Sequence, residues 1–402
     1  MTIACPNCGT LQTMPKLAGR GRALCRRCHR VLERAQGRSV DAALALALTT
    51  LLLLFPANLA TLLRISAVGI TRSSRLGSGV IAMWGEGYPL MAVVVGLQGV
   101  LLPFLRFGLL AAVLASVRLR AVGRWTGPAF RWAERLDLWA MPDVFLFGAA
   151  IGYSRVAPFV PATIGAGGWC LIAAALASIL ARASLDRRAV WRMIAPPPVL
   201  DVLKVRAVLS CTECDLPVPG VPPGSACPRC AAALWPRKPF SLMRATALVI
   251  AGAALYPMAN YFPMSVQDRL GTVKLHTIAA GVMDLVGAGL WPLAAIIFTA
   301  SIGIPMLKLL AMSWLIWSAH RGSTRRLATK SRLYRVVHEI GRWSNIDVFT
   351  LAIFVPLFQL GSFVHVSVGL GAPAFLAVIV LTMLAVRVFD PRLLWDAAEA
   401  RA

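Results

Sequence analysis

Two sets of closely spaced cysteines are the residues of this chain with the clearest capacity for chemistry. They comprise eight of the nine cysteines: Cys5, Cys8, Cys25 and Cys28, then Cys211, Cys214, Cys227 and Cys230. In this C-x2-C…C-x2-C pattern, two hairpins supply four thiolates in the tetrahedral arrangement that suits Zn²⁺. The pattern predicts two structural zinc sites, because four thiolates leave no open coordination position for catalysis.

Other states of these cysteines remain open from sequence alone. Disulfides and free thiols fit the same spacing, although disulfides rarely persist in a reducing compartment, and iron also binds such thiolates. His29 follows Cys28 and is a candidate substitute ligand, with a bystander as the simpler interpretation. The ninth cysteine, Cys170, lies in an apolar segment and is interpreted as a small core residue.

The composition predicts a membrane protein, whose transmembrane spans would position the two cysteine sets. Of the 402 residues, 58% are hydrophobic and 14% are charged, and several apolar runs approach the roughly 20 residues needed to cross a bilayer. The net charge of +24 comes from basic residues clustered between those runs, as in cytoplasmic loops. This placement argues against nucleic-acid binding, which favours one basic face. The basic, Cys-rich beginning is unlike a signal peptide, so we expect a cytoplasmic N-terminus.

The chain repeats its own features at an offset of 202 to 206 residues, which indicates an internal duplication. Besides the cysteine sets, the matched features are Ala57-Asn58 with Ala259-Asn260, Pro89 with Pro292, Pro103-x-x-Arg106 with Pro305-x-x-Lys308, and Trp139-x-x-x-Asp143-Val-Phe with Trp343-x-x-x-Asp347-Val-Phe.

The duplication predicts an all-α polytopic membrane protein of two tandem repeats, each a small zinc ribbon followed by four transmembrane helices. The predicted domains are a zinc ribbon at 1–38, a repeat at 39–182, a linker at 183–210, a second ribbon at 211–236 and a second repeat at 237–402. The predicted spans are 41–63, 87–117, 141–160 and 163–182, then 244–263, 288–318, 346–363 and 371–389. Four crossings return the chain to its starting side, so both ribbons and the C-terminus should be cytoplasmic.

The segments between the spans carry weaker signals. Alternation in TVKLHTI (272–278) allows a strand in a periplasmic loop. The stretches 125–139 and 324–343 mix arginines with Trp, Leu and Val, which fits helices in the cytoplasmic interface, and solvated basic linkers fit equally well.

Two cations inside apolar runs predict an intramembrane polar site. Arg106 and Lys308 lie twelve and thirteen residues from the next basic loop residue, or about 18 and 20 Å along a helix. Side chains of this length snorkel over only part of that distance. A charge in the hydrocarbon region costs at least ~2.5–3.5 kcal/mol unless a partner or water compensates it.

Candidate partners begin the third span of each repeat. Asp143 and Asp347 are either buried partners of the cations or first-turn residues favoured by the helix dipole. Thr382, and more weakly Ser178, add hydroxyls in the fourth spans, where a hydroxyl often bonds its own backbone.

Two helix-breaking prolines lie beside the cations. Pro103 and Pro305 each free a carbonyl, either to line a cavity or as a simple packing kink.

The motifs FPANL, YPMAN, WAMPDVF, WSNIDVF, CPNC, CRRC, CTEC and CPRC together resemble the paraquat-inducible protein A family, also called the PqiA/LetA family, over nearly the full chain. The resemblance implies a bacterial inner-membrane protein that works with a periplasmic MCE-domain partner in phospholipid trafficking and envelope integrity. The second repeat carries Lys308, which can lose its proton, where the first carries Arg106, which cannot.

These features lead to three functional hypotheses. The first is a phospholipid transport component whose intramembrane polar cavity serves an MCE-type partner tube. Because no P-loop is present, its energy would come from an ion gradient such as protons, from another subunit or from no source. The second is an anchoring scaffold that only positions the partner. The third, a metal-dependent enzyme, is disfavoured by the closed cysteine sets.

Overall fold

The computed structural model describes residues 2–14, 21–34, 39–67, 70–156, 161–196, 208–269, 272–357 and 364–399. Within these residues the chain is mostly helical. The helices are α1 (Val40–Leu59), α2 (Ser78–Gly85), α3 (Pro89–Gly96), α4 (Leu102–Arg118), α5 (Thr126–Leu136), α6 (Pro142–Val156), α7 (Ala166–Ser184), α8 (Arg187–Ile194), α9 (Ser241–Tyr261), α10 (Ile278–Gly287), α11 (Trp291–Phe298), α12 (Ile304–His320), α13 (Leu327–Ile340), α14 (Ile346–Leu357), α15 (Gly371–Val388) and α16 (Leu393–Glu399).

Short antiparallel strands lie at both ends of the helical bundle. They are β1 (Thr2–Ala4), β2 (Leu11–Thr13), β3 (Arg22–Leu24), β4 (Val31–Arg34), β5 (Leu63–Ala67), β6 (Ile70–Ser74), β7 (Ala162–Ile164), β8 (Val208–Ser210), β9 (Pro217–Pro219), β10 (Ser265–Arg269), β11 (Thr272–His276) and β12 (Val364–Val368). The pairs β1–β2, β3–β4 and β8–β9 are hairpins of the cysteine modules.

Six helical segments of the described chain are long and apolar enough to cross a membrane, three in each repeat. In the first repeat they are α1, the continuous segment Pro89–Arg118 and α7; in the second they are α9, the segment Trp291–His320 and α15. Ser39 is the N-cap of α1, and its hydroxyl accepts a hydrogen bond from the backbone amide of Ala42. The matched order confirms the predicted polytopic fold with two repeats.

The third predicted span of each repeat is shorter in the described residues than the sequence suggested. Helix α6 has 15 residues and α14 has 12, and residues 157–160 and 358–363, which completed those predictions, lie outside the described part. Both helices lie at the junction of the repeats, where the rings of Phe145 and Phe349 are 5.0 Å apart. Other parts of the protein therefore cover much of the surface of α6 and α14. Burial in protein requires the same apolar residues as a membrane span, so composition alone could not distinguish the two.

Two three-stranded sheets lie at the end opposite the cysteine modules. Their strand orders are β6-β5-β7 and β11-β10-β12. The second contains the strand expected within 272–278. Glu86, between α2 and α3, accepts a hydrogen bond from the amide of Val368 at 2.7 Å and so ties the second sheet to the first repeat.

The stretches 125–139 and 324–343 each contain a helix, as one of the two interpretations of the sequence expected. These helices are α5 and α13, and each buries apolar residues such as Phe130 and Tyr334. Inside the predicted linker 183–210, α8 packs Trp191 against Phe130 with ring centroids 4.8 Å apart. Residues 197–207 of that linker lie outside the described part.

Each cysteine module packs against the opposite repeat. We call the described part of residues 2–34 ribbon 1 and residues 208–234 ribbon 2. Ribbon 1 shares a hydrophobic core with α9, α12, α13, α15 and α16 of the second repeat. Ribbon 2 shares one with α1, α4, α5, α7 and α8 of the first repeat and its connection. This crossed docking leaves no signal in the sequence, because both repeats offer similar apolar faces.

Candidate functional site

The cysteines of each set converge on one point, as the spacing predicted. The Sγ atoms of Cys5 and Cys28 are 3.5 Å apart, and those of Cys214 and Cys227 are 3.6 Å apart. All four Sγ atoms of each set lie within 4.8 Å of one another and are buried. Zn–S bonds of about 2.3 Å in a tetrahedron place sulfurs about 3.8 Å apart, whereas a disulfide needs about 2.05 Å. By geometry and donor type, both sets could therefore hold a metal ion.

A repeated backbone turn presents the thiolates. The residue after the second cysteine of each pair has a positive φ: Gly9, His29, Asp215 and Ala231. Its amide donates to the carbonyl of the first cysteine, as Gly9 does to Cys5 at 2.8 Å. His29 therefore occupies a turn position and its side chain is exposed, which agrees with the bystander interpretation.

Arg106, the intramembrane cation of the first repeat, is buried in an ion-pair cluster. Its guanidinium contacts the carboxylate of Asp137, the residue after α5, and its side chain is 4% exposed. Asp137 also accepts a hydrogen bond from Arg182 of α7 at 2.9 Å. The pKa of Asp137 lies below its usual value, because the guanidinium groups of Arg106 and Arg182 outweigh the opposing effect of burial.

Asp143 is a member of this cluster but not the ion-pair partner of Arg106 that the sequence suggested. It is the second residue of α6, is 1% exposed, and accepts a hydrogen bond from Arg182 at 2.8 Å. Its other near cation is Arg342 of the second repeat, at 3.8 Å. Asp137 reaches Arg106 because α5 folds back against α4. This return was not visible in the sequence, although Asp137 and Glu134 are the two acids of an otherwise basic stretch.

Lys308, the matching cation of the second repeat, has a different environment. It is 1% exposed, and its ammonium donates to the hydroxyl of Ser344 at 3.0 Å and the carbonyl of Gly341 at 3.3 Å. Both acceptors belong to the 3-10 turn Gly341–Asn345, which leads into α14 and Asp347. Neutral oxygens thus stabilise the ammonium of Lys308, whereas carboxylates stabilise the guanidinium of Arg106.

The hydroxyls of the fourth spans bond their own helices. Thr382 donates to the carbonyl of Ile379 at 3.0 Å, and Ser178 donates to that of Ala175 at 2.8 Å. Both side chains are buried. Asn345, which sequence reasoning missed, reaches across the repeats to the sulfur of Met141 at 3.4 Å.

Each proline follows one turn of π-helix in its span. The turns are Leu97–Leu101 before Pro103 and Thr299–Gly303 before Pro305. They hold two fully buried polar residues, Gln98 and Ser301, whose side-chain atoms have no hydrogen-bond partner within the described part of the chain. A π turn with unpaired polar groups marks a local departure from a uniformly apolar span.

Repeated apolar spans, a buried cation in each repeat and paired cysteine tetrads define a polytopic membrane protein with two clusters that could bind metal. The family model of paraquat-inducible protein A matches residues 40–195 and 242–399. The chain therefore belongs to the paraquat-inducible protein A family.

Relatives of this chain are named for intermembrane transport or for an envelope-spanning tunnel. It is 33% identical to "Intermembrane transport protein PqiA" of Escherichia coli (strain K12), covering 98% of this chain and 95% of that protein. It is 29% identical to "Lipophilic envelope-spanning tunnel protein A" of the same strain, covering 98% and 91%. It is 27% identical to "Probable intermembrane transport protein" of Haemophilus influenzae, covering 98% and 95%. No solved structure matches the chain.

Proposed function

We propose that this protein is the bacterial inner-membrane component of an intermembrane phospholipid transport system. In this role it loads or receives phospholipid through an intramembrane polar cavity and passes it to a periplasmic MCE-domain partner. The names of its relatives support membrane transport. The observation that carries the proposal is the pair of buried cations, Arg106 and Lys308, at matching positions in the two central spans.

The asymmetry of the two cations supports proton coupling through the second repeat. Arg106 keeps its charge at any accessible pH and faces carboxylates. Lys308 is held by a hydroxyl and a carbonyl, and a buried amine in such a place can exchange its proton. We therefore assign the working site to Lys308, Asp347 and Thr382, and a fixed electrostatic anchor to Arg106, Asp137 and Asp143.

The cysteine clusters have a structural role in this proposal. We assign Zn²⁺ to both, since four buried thiolates match its ligand preference and leave no position for substrate. They fold the ribbons, and no catalytic reaction is assigned to the protein. The ribbons and both termini face the cytoplasm, in keeping with the basic segments beside the spans.

Substitution of Lys308 separates transport from anchoring. In proteoliposomes with the partner protein, Lys308→Ala should abolish transfer of labelled phospholipid while the partner still co-purifies. Arg321→Ala is the matched control, because this exposed cation directly after α12 lies outside both the polar site and those loops. Unchanged transfer by Lys308→Ala, with loss of partner binding only after changes in loops 64–86 or 264–287, would instead establish the scaffold role.

A further inference from the structure

We propose that the two ribbons are crossed metal-dependent clamps. The metal in each ribbon stabilises the groups that hold the intramembrane cation of the opposite repeat. This coupling is a property of the chain itself and is independent of what the polar site transports.

Ribbon 2 grips α5 of the first repeat at close range. A Cβ atom at Gly127 would lie 1.9 Å from the carbonyl oxygen of Arg229, so only glycine permits this approach. About two helical turns after Gly127, Arg135 donates to the carboxylate of Glu213 at 2.8 Å. Arg229 and Glu213 each lie next to a cysteine of the tetrad, Cys230 and Cys214.

A single residue, Asp137, links the end of α5 to Arg106 through an ion pair. Helix α5 ends at Leu136, and the next residue is Asp137, the ion-pair partner of Arg106. Displacement of α5 would carry Asp137 away from Arg106 and from Arg182 at the same time. The position of ribbon 2 therefore determines whether a carboxylate compensates the charge of Arg106.

Ribbon 1 makes the corresponding connection in the second repeat. The side-chain amide Nδ2 of Asn7, between Cys5 and Cys8, donates to the backbone carbonyl of Ser331 in α13 at 3.4 Å. Buried thiols of this ribbon share a core with Tyr334 and Val337 of the same helix.

Helix α13 then continues into the turn that holds Lys308. It ends at Ile340, and the following turn supplies the acceptors Gly341 and Ser344. Both cations are thus held by the segment directly after a helix that the opposite ribbon grips.

The metal is the part of each clamp that fixes its shape. The described hairpins of both ribbons consist of strands of three or four residues, too short to form a stable fold alone. Cysteines are four of the eight buried core residues that each ribbon contributes, and small domains of this kind depend on metal binding for folding. Loss of the metal should therefore release the surface that grips α5 or α13.

Hydrogen exchange of the full-length protein in nanodiscs tests the crossed pattern. Cys214→Ser/Cys227→Ser and Cys8→Ser/Cys25→Ser should each lower metal content from two ions per chain to one, measured by mass spectrometry of the elements. The first variant should speed exchange in α5 by about tenfold and leave α13 unchanged, and the second should do the reverse. Faster exchange in the helix of the variant's own repeat, in both helices alike or in neither would overturn the proposal.

A glycine substitution tests the grip with both metals in place. Gly127→Ala should force α5 from ribbon 2 and speed exchange of α5 with metal content unchanged. Gly108→Ala in α4 is its matched control, since a Cβ atom there meets nothing within 4 Å. Equal exchange in the two variants would refute the grip of ribbon 2 on α5.

Discussion

Asp137→Asn tests whether the first intramembrane cation depends on the residue after α5. This change removes the carboxylate that contacts Arg106 and Arg182 while keeping the side-chain size. Breaking a fully buried ion pair costs about 3–5 kcal/mol. The Asp137 side chain is 42% exposed, so solvent screening reduces the expected loss to about 1–3 kcal/mol.

Asp41→Asn is the matched control for this change. Asp41 pairs with Arg118 at 2.7 Å in the same repeat, but the two side chains are 67% and 64% exposed. Such a surface pair contributes about 0.2–1 kcal/mol. Reversible unfolding in mixed micelles, followed by tryptophan fluorescence, measures both variants. Equal losses in Asp137→Asn and Asp41→Asn would refute the assignment of Asp137 as the partner that compensates Arg106.

The pH dependence of the same pair provides an independent check. The pKa of Asp137 is lowered in the folded protein, so its stabilisation is fully present above the unfolded value, near 3.8. It is lost as pH falls through the lower, folded value. Wild type should therefore lose more stability than Asp137→Asn when pH falls from 6 to below about 4.

Three further changes test other parts of the structure. Gly148→Ala at the junction of the repeats would bring its Cβ to 2.9 Å from the Cβ of Phe349, and should cost about 1–3 kcal/mol in unfolding experiments, unlike Gly108→Ala. Ser344→Ala removes the hydroxyl acceptor of Lys308 and should lower stability by about 1–3 kcal/mol, with a smaller loss in a Lys308→Met background. Elemental analysis of purified protein should find two zinc ions per chain, and a value of zero after mild purification would contradict the metal assignment.

Features with a local physical cause were predictable from the sequence. The apolar runs predicted the long spans, since each crossing needs about 20 apolar residues. The C-x2-C spacing predicted both metal clusters, because hairpins impose that geometry. The internal duplication aligned Arg106 with Lys308, and the structure buries both.

Features that depend on packing between distant segments were not predictable. Asp137 contacts Arg106 because α5 folds back along α4, and Arg342 of the second repeat lies beside Asp143 of the first. The crossed docking of the ribbons depends on which of two similar apolar faces each contacts. The π turns before Pro103 and Pro305 also lacked a signal beyond the prolines themselves.

We propose that Lys308, and not Arg106, is the working cation of the transport site. Phospholipid transfer in proteoliposomes under an imposed pH gradient tests it most directly, comparing wild type with Lys308→Arg and Arg106→Lys. We predict that transfer by wild type and Arg106→Lys responds to the gradient, whereas Lys308→Arg, with its permanent charge, does not respond. A response that survives in Lys308→Arg and disappears in Arg106→Lys would contradict the claim.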